Sequence, residues 1–300
     1  MTAAAKLQET RTMPIIKADW NKPALAVVGG EFVIVAGTRF GGVSFDKATP
    51  VAMPKNLTAG DYRVTVQDGV ATAALLAAAP DLGDPATIGG FHLAPGGNAA
   101  ARAGGDESPA INPCSLWDIA FRPACADPRG MACIDSLRAP FWTDIYLLGV
   151  NHLTDGTSRL GVEIADGNSP PQNPSGGAFD ELDYATAVAV MKHHGKGLLS
   201  IEEFFAAAFG VTEKTSHKVD PKVTKLDAAR TSKFGLMQAT GNLWVWGHDG
   251  DPDAPRPSLF GGSWWDDGFA GSRQADVDVW AGYSCGDLGA RGRSDHLQLV

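Results

Sequence analysis

The chain has 300 residues, 44% of them hydrophobic and 20% charged, with 36 Gly and 19 Pro. That is enough apolar material for one large domain or two ordinary ones, and the mixture excludes a disordered chain or a coiled coil. The net charge is −9 with no run of Lys or Arg, which argues against a nucleic-acid partner held by its phosphates, and no apolar run reaches bilayer length.

Residues 1–20 lack the apolar segment of a secretory signal. The chain is therefore expected to be cytoplasmic when made, with later association with a virion left open. Residues 24–80 alternate short apolar runs, at 24–28, 32–36 and 62–66, with Gly turns at 29–30, 41–42 and 60. Such a pattern predicts a small all-β module, taken as residues 1–80, whose role the sequence does not give. Residues 79–112 are dominated by Gly, Pro and Ala and read as a linker. A strand at 88–93 is expected to open a second domain over 86–300.

Between 113 and 160 aromatics mix with turn residues. Residues 141–148 predict a buried strand, and Trp117, Phe121 and Trp142 are assigned to the core. A helix follows over 182–194, with Leu182, Ala185, Val188, Ala189 and Lys192 on its stripe and Gly195 just past its end. His193 and His194 fall in its last turn, where free carbonyls favour a partly cationic ring. Neighbouring helical residues point apart, so these two are not read as a metal pair. A second helix opens at Ser200 with Glu203 three residues on, a capping box. Phe204, Phe205 and Ala208 supply its apolar face and Gly210 stops it. Residues 212–233 are polar and read as a loop, and from Phe234 onward the chain is rich in Trp and Gly without helical period.

Catalytic and metal signals are weak. The four cysteines, Cys114, Cys125, Cys133 and Cys285, match no zinc spacing and are expected as free, mostly buried thiols. Asp249, Asp251 and Asp253 alternate like calcium ligands, but Pro252 and the missing later Glu favour a solvated loop. His296 is assigned a structural role. No nucleophile elbow, phosphate loop or paired-His zinc motif is present, so no catalytic residue, metal or cofactor is expected.

The order of motifs is more telling. The helix start LSIEE (199–203) with Ala207, Ala208 and Gly210, then GNLWVW (241–246), GGSW (261–264) and Gly289-Ala290-Arg291, resembles the motif series of the formylglycine-generating-enzyme superfamily. That resemblance implies an α+β, C-type-lectin-type fold, with two helices packed on small antiparallel sheets behind the β-rich module. The superfamily's enzymes bind copper through two cysteines soon after GGSW. Residues 264–273 contain none, so the oxidase chemistry is disfavoured. The tail from Leu259 to Leu299, with Gly89 to Leu93, Ser115 to Asp118, Phe121 to Pro123 and Asp144 to Leu147, is similar to the variable proteins of diversity-generating retroelements, among them the phage tropism determinants. The resemblance covers roughly residues 86–300 and leaves the first 80 outside.

What that family implies is a non-enzymatic receptor-type protein with a variable region, here 259–292. Template adenines are miscopied, and Asn codons become Ser, Asp, Phe, Tyr, Val, Cys, Gly or Ala. Ser263, Asp266, Asp267, Phe269, Asp276, Asp278, Val279, Tyr283, Cys285 and Asp287 are all permitted products. Trp265 and Gln274 are not such products but complete the candidate ligand-binding set. Residues 259–300 hold six Asp and no Asn, Lys, Glu or Met. Gly261, Gly262, Trp264, Gly271, Trp280, Gly289, Ala290 and Gly292 read as fixed scaffold. The expected partner is a protein or glycan on another cell or particle, with the oligomeric state open. Two alternatives remain: an oxidase of the superfamily with altered chemistry, and an invariant phage tail structural protein.

Overall fold

The computed structural model describes residues 15–99, 107–136, 139–251 and 253–298. Its first part consists of short strands: β1 (Ile15–Ile16), β2 (Leu25–Val28), β3 (Glu31–Ile34), β4 (Thr38–Phe40), β5 (Val43–Phe45), β6 (Thr49–Pro50), β7 (Gly60–Gln67) and β8 (Val70–Leu75). β1, β4 and β5 form one antiparallel sheet and β2, β3 and β6 a second. In β7 the alternation of side chains turns Tyr62, Val64 and Val66 inward.

β9 (Thr87–Ala94) lies between β7 and two short strands, β10 (Ala110–Ile111) and β11 (Trp117–Asp118). All eight of its residues are buried. The strand expected at 88–93 is thus present within the stretch read as a linker, but it pairs with β7 and belongs to the first part rather than opening the second. Composition misled because Gly89 and Gly90 are packing residues. A Cβ on Gly89 would stand 2.1 Å from the Trp117 carbonyl oxygen, and one on Gly90 2.3 Å from that of Tyr62. Their bare backbones let β11 and the Trp117 indole come close. Ile88, Phe91, Leu93 and Leu116 therefore share one apolar core with Ile15, Leu25, Ile34, Phe40 and Tyr62. A buried ion pair closes this unit: Lys17 Nζ lies 2.8 Å from Asp118 Oδ2, and the same carboxylate accepts the amides of Ala24, Ala120 and Phe121.

In the second part, β12 (Met131–Ile134), β13 (Phe141–Asp144) and β19 (Arg293–Asp295) form an antiparallel sheet, so the end of the chain returns to its middle. β14 (Leu199–Ser200), β15 (Trp244–His248), β16 (Pro257–Phe260) and β17 (Ala275–Val277) run across another sheet in that order, and β18 (Leu288–Gly289) also pairs with β15. Three helices accompany them: the single turn α1 (His152–Asp155), α2 (Tyr184–His193) and α3 (Ile201–Ala207). The architecture is α+β, as expected. Residues 141–148 are all buried, yet the strand ends at Asp144, where the side chain turns in to meet Lys196 Nζ at 2.6 Å and the Gly292 amide at 2.9 Å.

α2 begins later than the sequence pattern suggests. Asp183 caps it, accepting the Thr186 amide at 2.7 Å. Leu182 therefore precedes the helix and cannot set its phase. The inward residues are Thr186, Ala187, Val190 and Met191, whereas Ala185, Val188, Ala189 and Lys192 face solvent. α3 has the predicted reciprocal cap: Glu203 N donates to Ser200 Oγ at 3.3 Å, and Ser200 N to Glu203 Oε2 at 3.0 Å. Phe204, Ala207 and Ala208 pack into the core and Phe205 against its margin.

The two parts are joined by buried polar contacts. His92 on β9 reaches Asp61 Oδ1 at 3.0 Å and the Tyr146 hydroxyl at 2.9 Å, and the same Asp61 oxygen accepts the Gly130 amide. Trp117, Phe121 and Trp142 are buried as expected, and Trp142 Nε1 donates to His296 Nδ1 at 3.0 Å. That bond gives His296 its structural role.

Candidate functional site

The frame beneath the candidate surface is made by the Trp- and Gly-rich motifs. Asn242 is wholly buried; its amide nitrogen donates to Asp227 Oδ2 and to the Thr240 carbonyl, each at 3.1 Å. Trp246 is buried and donates Nε1 to the Leu182 carbonyl at 3.0 Å, tying β15 to the start of α2. Arg291 is fully buried, and its guanidinium donates to the carbonyls of Asp144 (2.7 Å) and Met237 (2.8 Å). Burial pulls its pKa down to about 10, against the opposing effect of the nearby Asp144 carboxylate. These residues set the positions of β13, β15 and β18, which lie beneath the segment from Gly261 to Asp287.

From β16 the chain passes through Gly261 and Gly262, both in the left-handed region at φ +92° and +77°. A Cβ on Gly262 would come within 2.7 Å of Ala270 Cα. The turn therefore needs glycine for its backbone and for its neighbour. Ser263 follows, fully buried, and donates both its amide and its hydroxyl to Asp266 Oδ2 at 2.6 and 2.7 Å. Residues 267–269 then make one 3-10 turn that carries Phe269 outward, leaving it 77% exposed. β17 is an edge strand, and Asp276 and Val277 on it are exposed.

The returning arm, 278–287, is pinned from below. The Gly167 amide donates to the Cys285 carbonyl and the Tyr184 amide to that of Ala281, both at 3.0 Å, and the Leu182 amide donates to Ser284 Oγ at 3.1 Å. Trp280 lies over Gly282 and is 74% exposed. The two arms meet where Trp265 Nε1 donates to Asp287 Oδ2 at 2.9 Å and Cys285 Sγ donates to Asp287 Oδ1. Burial and that carboxylate raise the Cys285 pKa, so it is a thiol rather than the thiolate used in metal binding. The hydrogen bond to Cys285 likewise raises the Tyr283 pKa.

Of the twelve predicted positions, Trp265, Asp267, Phe269, Asp276, Asp278 and Tyr283 are exposed, and Asp266, Gln274, Val279 and Cys285 are partly exposed. Ser263 and Asp287 are buried at 0% and 7%. They are braces rather than contact residues, because their polar atoms face inward to satisfy Asp266, Trp265 and Cys285. Trp280 differs in the opposite sense. Sequence reasoning placed it in the scaffold because an indole is usually packed, but none of the described elements covers it. No local signal distinguishes it from Trp264, which is half-buried. Gly261, Gly262, Gly271, Gly289, Ala290 and Gly292 are buried, as the scaffold reading requires.

The other candidates have local partners. Asp249 accepts the Arg256 amide at 3.0 Å and Arg256 Nε at 2.8 Å, and these bonds hold its pKa down to about 2. His152 Nδ1 lies 2.8 Å from His194 Nε2, and His152 Nε2 lies 2.7 Å from the Gln172 carbonyl. His152 Nε2 therefore donates to that carbonyl, and only one of the two facing nitrogens carries a proton, so the two rings cannot both be cationic. Burial pushes the His194 pKa down to about 4 and lowers that of His152. All four cysteines are free, Cys125 buried and the others partly so. A cleft of about 1270 Å³ runs along α3 beside Phe141, Phe205, Phe209 and Phe234; none of the twelve predicted positions lines it.

Comparison with known proteins extends the match beyond what the motifs indicated. A family model described as the Mtd second domain matches residues 16–118, including the strands that motif reading left outside the resemblance. The tail fiber receptor-binding protein of Bordetella phage BPP-1 is 42% identical over 327 aligned positions, covering 95% of this chain and 85% of that protein. Among solved structures, the U1 and I1 variants of the Major Tropism Determinant superpose with a TM-score of 0.84 at 39% and 40% identity, each covering 95% of this chain and 86% of the other. The likeness thus takes in residues 16–80 as well, whose strands share a core with β9.

Proposed function

The chain belongs to the Major Tropism Determinant family of phage receptor-binding proteins, and from that membership we propose that it binds a receptor on a bacterial host through the surface formed by residues 265–285. The observation that carries this reading is the division of one short segment. Gly261, Gly262, Ser263, Gly271 and Asp287 are buried, while Trp265, Phe269, Val277, Trp280 and Tyr283 stand 59, 77, 49, 74 and 40% exposed. Clustered exposed aromatics on a soluble protein mark a contact surface, and aromatic anchors among small polar residues are how antibody loops bind. The role is binding without a chemical step, in a chain of the C-type-lectin-type fold that acts as part of a virion tail fibre. The partner is a protein or glycan of the host surface.

The test is adsorption of the labelled full chain to a panel of bacterial strains. Phe269→Ala and Trp280→Ala are expected to lower adsorption to the recognised host by about tenfold or more. Unchanged adsorption in both variants would remove this surface from the receptor role.

Diversification is a second part of the proposal. Asp266, Asp267, Phe269, Asp276, Asp278, Val279, Tyr283 and Cys285 are read as the varied positions, with Trp265 and Gln274 as contacts among them. Each of the eight is at least partly exposed and carries a residue that a miscopied Asn codon can encode. Deep sequencing of the 3′ end of the gene and its flanking DNA checks this. Substitutions should concentrate at those eight codons, opposite adenines of a nearby repeat. An invariant 3′ end without a repeat would leave a fixed receptor-binding protein.

A further inference from the structure

Charge on this molecule is distributed unevenly. Residues 249–287 contain eight Asp and two Arg, so six of the nine net negative charges fall on this stretch. The same stretch contains Trp265, Phe269, Trp280 and Tyr283, four of the six strongly exposed aromatic side chains among the described residues. Its two ends form one surface: Trp265 bonds Asp287, and Arg256, in the turn after β15, lies 3.8 Å from Asp278 on the returning arm.

The rings are also open. The cation–ring contacts among the described residues use Lys17, Lys233 and Arg293, and none involves these four aromatics. Asp276 has no ion pair among the described residues, and Asp267 and Asp278 are held by Lys218 and Arg256 through exposed pairs, which exchange partners readily.

Resting on the receptor-binding reading above, we propose that the partner presents a cationic protein surface whose Lys or Arg side chains lie on the open faces of Trp265 and Trp280 and pair with Asp267, Asp276 and Asp278. An indole face attracts a cation through its quadrupole, and Arg or Lys brings an apolar stem to the same ring. Excess negative charge around the rings steers such a partner in and rejects an anionic polysaccharide. A neutral glycan could stack on the indoles and donate hydroxyls to the carboxylates, but it would gain nothing from their net charge.

The experiment titrates the full chain, by its tryptophan fluorescence, with three probes: a short peptide alternating Lys and Gly, its Glu counterpart, and the uncharged sugar maltohexaose. The Lys peptide is expected to bind and the Glu peptide not to bind. Raising NaCl from about 20 to about 300 mM should weaken the Lys peptide about tenfold, because exposed charges are screened. Trp280→Ala and the triple variant Asp267→Asn, Asp276→Asn, Asp278→Asn should each weaken it about fivefold; both change only exposed side chains. Equal affinity for the two peptides, or Lys-peptide binding that neither salt nor the variants change, overturns the proposal. So does salt-independent binding of maltohexaose alone, lost in Trp280→Ala. That last result would make the partner a glycan and leave the receptor reading intact, since that reading fails only by unchanged adsorption to cells.

Discussion

The frame around Asp144, Asn242 and Arg291 and the surface from Trp265 to Tyr283 belong to the same half of the chain but satisfy their polar groups in opposite ways. In the frame, most donors and acceptors are bonded inside the protein, Arg291 Nε being an exception: Asp144 alone receives Lys196, Gly292 and, through its carbonyl, Arg291. On the surface, aromatic and acidic groups point to solvent with few partners. The difference teaches where change is tolerated. A buried charge that loses its partner has no water to replace it, whereas an exposed ring or carboxylate does.

The largest expected effect is in the frame. Asp144→Ala leaves Lys196 buried and unpaired and should cost about 3–5 kcal/mol in denaturant unfolding; a loss below about 1 kcal/mol would break the comparison. Gly262→Ala forces a non-glycine residue to φ +77° against Ala270 and should cost about 1–3 kcal/mol from its backbone alone.

Acid should act on the frame next, through His152 and His194. Both have folded-state pKa values below the unfolded value of about 6.5. As pH falls, the unfolded chain takes up these protons first. Their contribution is therefore complete above about pH 6.5 and is lost as pH drops towards the His194 value of about 4. His194→Gln should flatten that part of a melting-temperature profile; an unchanged slope would place the acid sensitivity elsewhere.

Two smaller effects sharpen the boundary between frame and surface. Ser263→Ala removes a buried donor to Asp266 and should cost about 1 kcal/mol. Phe269→Ala, on a side chain 77% exposed, should change stability by less than about 0.5 kcal/mol while reducing host adsorption. Equal stability losses would mean that Ser263 and Phe269 do not belong to different regions.

Much of this was legible locally. The Ser200–Glu203 cap depends on residues three apart, and the Gly261–Gly262 turn on backbone that other residues resist. The order of GNLWVW and GGSW pointed to the fold because its indoles and small residues meet in fixed positions. The reading of 79–112 as a linker holding a strand at 88–93 found the strand but not its place at the centre of a sheet, because glycine in a buried strand looks like glycine in a loop. Its meaning at Gly89 and Gly90 comes from Trp117, which lies far along the chain. The phase of α2 failed because the Asp183 cap, rather than the apolar spacing, fixes where the helix begins.

The sequence by itself determined the class of fold, the family-like motif order and the segment proposed to carry the binding residues, since caps, turns and short motifs act over a few residues. Only the tertiary structure decided which members of that segment face outward. Ser263 and Asp287 turn inward because Asp266 and Trp265 lie within hydrogen-bonding reach, and Trp280 remains outside because none of the other described elements packs over it. Exposure is a property of neighbours brought from elsewhere in the chain, and no local pattern encodes it.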